Sequence, residues 1–155
     1  MGVNKYIIAG WALYLASYIL PWSIKPFGGW LHGWYWQLAD LLPFFRLITF
    51  EQFGWLELSS TMAIIAGLTM WISPLFLYLL NKGVIETSGF VPLLSFILAL
   101  AAGAIKIIYI ADYDPPLGVL YVFGNLLWIA SFWMLYTGFA KQIHQNKDTE
   151  EKHVI

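Results

Sequence analysis

Residues 90–111 read FVPLLSFILALAAGAIKIIYIA, a run whose one charge is Lys106. About 20 predominantly apolar residues rising 1.5 Å each cover a hydrocarbon core about 30 Å thick. The run is apolar on every side and lacks the one-sided stripe of a surface helix, so the sequence predicts a helix surrounded by apolar material. In lipid, backbone polar groups are satisfied only within helices or closed barrels. A barrel strand would alternate apolar and polar residues over about ten positions, and this run does not.

Three further runs share its character: 6–24, 58–80 and 117–140. The whole chain follows suit. Of its 155 residues 60 % are apolar and 11 % charged, with a mean hydropathy of +0.69, whereas a soluble domain carries about 25 % charged residues. The fold class expected is an all-α integral membrane protein, a bundle of four transmembrane helices. The first run ends in ILPWS, not in a small-residue cleavage site, and MGVNKY has Tyr6 where a myristoylation signal needs Ser or Thr, so it is expected to remain as a span.

The net charge is −1 and no basic cluster stands out, which excludes a nucleic-acid footprint. The absence of cysteine removes disulfides, thiolate nucleophiles and cysteine-based metal sites. No cofactor is implied.

The connections are unequal. NKGVIETSG (81–89) and DYDPP (112–116) are short and make their flanking helices antiparallel neighbours. The first connection, 25–57, is long enough to carry function or structure of its own. It opens with GGWLHGWYWQ (28–37), which sets Trp30, Trp34 and Trp36 around His32. Tryptophan collects at the lipid–water boundary, and LADLLPFFRLITFEQFGW (38–55) is too apolar for a solvated loop yet is interrupted by Asp40, Pro43, Arg46 and Glu51. An interfacial, Trp-rich outer segment fits both facts, either as a membrane anchor or as an aromatic cap that meets a ligand or partner. Lys5, Lys82, Lys141, Lys147 and Lys152 fall on one side and Lys25 and Arg46 on the other, which places both termini in the cytoplasm, across a cytoplasmic (inner) membrane. Residues 142–155 are expected to form a polar cytoplasmic tail.

Small residues four apart let membrane helices approach closely. Ser59, Ala63 and Gly67 form one such row and Ser95, Ala99 and Gly103 another, and they are expected to meet across the hairpin. Pro74, inside MWISPLF, should free a carbonyl one turn earlier. YLASYIL (14–20) and WIASFWM (128–134) echo one another, as shared packing chemistry or by coincidence.

Lys106 is the charged residue inside a span. Its ammonium either reaches the outer interface along its stem or pairs with Glu57 or Asp112; Asn125 is a further intramembrane polar candidate. His32, Asp40, Glu51, Asp112 and Asp114 gather on the outer side, but no HExxH and no GxSxG is present to make them a metal or nucleophile site. No catalytic or metal residue is assigned.

A four-span layout with both ends inside, a long Trp-bearing first outer loop and a short second one resembles the claudin layout. The resemblance implies topology alone: claudins carry a Trp and Gly-Leu-Trp motif followed by a disulfide pair, where this sequence has GGWLHGWYWQ and no cysteine. The function expected is that of a non-enzymatic accessory, assembly or interaction subunit, partnered by lipid and by another membrane protein or a second copy. An oligomeric transporter or channel using Lys106, Asn125 and Thr69, and a membrane-embedded enzyme using the outer carboxylates and His32, are the alternatives.

Overall fold

In the computed structural model, residues 4–19, 21–24, 30–32, 41–49, 54–84, 89–111 and 115–153 are described. Helix α1 (Lys5–Ile19) leads to a two-stranded antiparallel ribbon, β1 (Pro21–Ile24) and β2 (Trp30–His32). A short helix α2 (Leu41–Ile48) follows, and then three long helices: α3 (Trp55–Asn81), α4 (Phe90–Ala111) and α5 (Pro115–His153). The described chain is thus helical apart from the ribbon. Among the described residues three stretches are long and apolar enough to cross a membrane: Glu57–Asn81, Phe90–Ile108 and Val122–Gln145.

Boundaries follow local chemistry. α4 coincides with the run at 90–111. α1 stops at Ile19, short of the expected 24, because Pro21 cannot donate to a helical ladder and disfavours helix in the residue before it; residues 21–24 pair with 30–32 instead. At 15 residues, or about 22 Å, α1 is shorter than a full hydrocarbon crossing. Asn4 starts it as an N-cap, its Oδ1 accepting the Tyr6 N–H at 3.1 Å. α3 begins at Trp55, ahead of the expected 58, on an extended Gly54. It ends in a Schellman turn: Gly83 takes φ +68°, and the Gly83 and Val84 N–H groups donate to the Leu80 and Leu79 carbonyls, each at 3.1 Å. The expected tail continues α5 to His153, since Lys, Gln and Glu favour helix once the apolar span has nucleated it.

α1 runs antiparallel to α5, α5 to α4, and α4 to α3, and side chains of α1 and α3 close the ring. α2 packs on α3, and β1 lies against α5. The α1–α5 seam is a backbone contact. A Cβ on Gly10 would lie 2.9 Å from the Ser131 carbonyl oxygen and 3.1 Å from the Leu135 nitrogen; one on Gly138 would lie 2.4 Å from Ile7 Cγ1 and 3.0 Å from the Ile7 nitrogen. Only glycine fits either position. Tyr14 and Phe132 fill the centre with rings at 6.0 Å, edge to face, an arrangement aromatic quadrupoles favour.

The echoed segments sit on this seam and share a local structure. The Ser17 hydroxyl donates to the Tyr14 carbonyl at 2.7 Å and the Ser131 hydroxyl to the Trp128 carbonyl at 2.6 Å, both serines being fully buried. Aligned in that register, Gly10 matches Gly124, Leu13 matches Leu127 and Ala16 matches Ala130. The likeness therefore extends over residues 10–20 and 124–134, brought face to face as an antiparallel pair.

Candidate functional site

The polar chemistry of the bundle lies in its interior, toward the end away from Asn4 and Lys141. Glu57, Ser59 and Ser60 on α3, Lys106 on α4, Asn125 on α5 and Ser17 on α1 are all buried, Lys106 at 8 % and Glu57 at 5 % exposure. A buried ammonium is costly unless it is paired or hydrogen-bonded, and Lys106 makes a partner interaction. A Cβ on Gly103 would lie 3.9 Å from Asn125 Oδ1. Lys106 is three positions from Gly103, one helical turn on, so α4 brings it to the α5 side where Asn125 lies. Glu57 occupies the first turn of α3, where a carboxylate meets the positive end of the helix dipole; its side chain folds back over Gly54, within 2.7 Å of where a Cβ would stand.

All six small residues expected to pack are buried. A Cβ on Gly103 would stand 2.6 Å from Ile129 Cδ1, so this position of α4 lies against α5. Trp30 and His32 lie in β2, paired through their backbones with Ile24 and Pro21. Trp34, Trp36 and Asp112 lie outside the described residues. Among the described residues no cluster of three His, Asp or Glu is arranged to hold a metal.

Three features escape a reading of the sequence alone. The first is a relay at Pro74. The Met70 carbonyl, which an N–H at position 74 would have bonded, accepts the Ser73 hydroxyl at 2.7 Å, and Ser73 Oγ accepts the Trp11 indole N–H at 3.2 Å. The proline's missing donor is thus replaced by the preceding side chain, and α1 is tied to α3 at that point. The second is the Tyr14–Tyr18 hydroxyl pair at 2.6 Å. The third is Trp128, 2 % exposed, whose Nε1 finds no acceptor among the described residues, a cost of about 1–3 kcal/mol for a buried donor. The sequence does carry a trace of the relay, since Ser immediately precedes Pro inside an apolar helix.

A shallow groove opens on the opposite flank, lined by Thr69, Ser73 and Phe76 of α3, Val91 and Pro92 of α4, and Leu135 and Phe139 of α5. Its hydroxyls are turned inward: Thr69 donates to the Ile65 carbonyl at 3.1 Å, and Ser73 is committed to Met70. The groove therefore offers apolar surface and no free polar group from Thr69 or Ser73. The chain matches no protein-family model, no curated protein and no solved structure.

Proposed function

We propose that the chain is a four-span membrane protein with both termini in the cytoplasm, acting as a non-enzymatic accessory or assembly subunit that docks on another membrane protein. The observation that carries this reading is the contrast between a closed interior and an open apolar flank. Backbone contact at Gly10 and Gly138 and the rings of Tyr14, Trp128, Phe132 and Phe139 fill the described core. Only 33 %, 33 % and 44 % of the three long apolar stretches is buried within the chain, and Trp71 and Trp133 are 57 % and 48 % exposed. Surface of this size and character suits lipid or a protein partner. α1 supports the fourth span because it lies along α5 from Gly138 toward Ser131, at the level of the stretch Val122–Gln145.

Native mass spectrometry of the protein taken from its own membrane tests this. A stoichiometric heteromer is expected, with photo-crosslinks to the partner from a probe at position 71 or 133. A monodisperse, partner-free species overturns the reading. The burial of Lys106 and Asn125 in the described core favours one second reading, a homo-oligomeric transporter; there, Lys106→Met abolishes flux in reconstituted vesicles, and unchanged flux removes it.

A further inference from the structure

The end of the bundle where Asn4 meets α5 gathers cations on one ring. Lys5 Nζ lies 5.5 Å from the centroid of Tyr6, and Lys141 Nζ lies 3.9 Å from the same centroid. Two exposed lysines from different helices thus stand over one half-buried aromatic ring. Their backbones are held in register: Asn4 caps α1 through Tyr6 and donates from Nδ2 to the Gly138 carbonyl at 3.1 Å, three residues before Lys141.

The Tyr6 ring is the partner shown for both cations. Lys5 stands in the first turn of α1, where the helix dipole disfavours a cation; Lys141 adds a second like charge, and among the described residues neither makes an ion pair with a carboxylate. An anion within reach of both offsets both terms. Below Lys5, on the same face of α1 at offsets of three, ten and fourteen residues, Ile8, Leu15 and Ile19 are 55 %, 49 % and 73 % exposed. A pair of cations on an amphipathic ring, heading an exposed apolar stripe, has the shape of a phospholipid: charged at one end and hydrocarbon along its length.

The geometry points to Lys5, Tyr6 and Lys141 as the headgroup site of an anionic phospholipid, its phosphate drawn by the two ammoniums and its acyl chain along Ile8, Leu15 and Ile19. The inference rests on the chain being membrane-embedded. The full chain in detergent micelles is titrated with phosphatidylglycerol and with phosphatidylcholine, and retained lipid is read by native mass spectrometry. Phosphatidylglycerol is expected to be retained in preference, and Lys5→Gln or Lys141→Gln to weaken retention about fivefold each and about 25-fold together. Lys82→Gln is the control, because Lys82 stands over a different ring, Tyr78, at 5.9 Å; it should leave retention within about twofold of the parent.

Equal retention of the two lipids, a Lys82→Gln loss as large as that of Lys5→Gln, or full displacement by inorganic phosphate overturns this site alone. A chain that stays monodisperse in plain buffer overturns the membrane reading and the site with it.

Discussion

The α1–α5 seam and the α3 flank facing α5 are drawn from the same apolar alphabet and reach opposite densities. On the seam, Gly10 and Gly138 remove side chains where two backbones must touch. Where α3 meets α5, Phe76 and the buried Leu135 and Phe139 line a small groove. Small residues, and not apolar character as such, thus decide how closely two of these helices approach.

Gly138→Leu should break the seam side of this comparison. The first added carbon already meets the Ile7 backbone nitrogen at 3.0 Å, and overpacking that only a backbone shift can relieve should cost about 3 kcal/mol in reversible unfolding from detergent. A variant as stable as the parent would show the seam to be looser than described. Ser73→Ala comes next, on the flank side. It strips the donor from the Met70 carbonyl and the acceptor from Trp11, at about 2 kcal/mol. On a Pro74→Ala background, where an N–H returns to that carbonyl, the same change should cost about half as much, and a double-mutant cycle reads the coupling. Additive effects would mean that Ser73 does not replace the proline's donor.

Asn4→Ala tests the seam's end. Loss of the N-cap and of the bond to Gly138 should cost about 1 kcal/mol by the same unfolding assay, with protection from hydrogen exchange lost first in the opening turn of α1. Thr69→Val is the smallest change: its hydroxyl bonds back to its own helix, so stability should move by no more than about 0.5 kcal/mol. A larger loss would show that the groove wall carries structural load.

Much of the architecture was legible because apolar length leaves few options. The run at 90–111 is α4 from end to end, and the antiparallel order follows from short connections. What could not be read was which faces meet. Spacing by four picks out Ser59, Ala63 and Gly67, and Ser95, Ala99 and Gly103, and all are buried; the backbone contact of α1 with α5 uses Gly10 together with Ser131 and Gly138, which are seven apart. Several rows of small residues coexist on such helices, and spacing alone does not name the partner helix. Pro21 marked the end of α1 in the sequence, but strong hydropathy on both sides of it outweighed that signal. The burial of Lys106 was legible as an anomaly, a charge in an apolar run, whereas the Trp11–Ser73–Met70 relay joins residues 62 positions apart and leaves no local trace of its partner.

The seam has a consequence for how the chain is made. Asn4 and Gly138 are 134 residues apart, so α1 is synthesised well ahead of the helix it packs against. At roughly 5–20 residues per second, α1 waits on the order of ten seconds beside a growing chain before α5 arrives. During that interval its glycine notch and the Ser17 and Tyr14 face lack the helix that buries them. A chain truncated before Gly138 is expected to keep that notch uncovered.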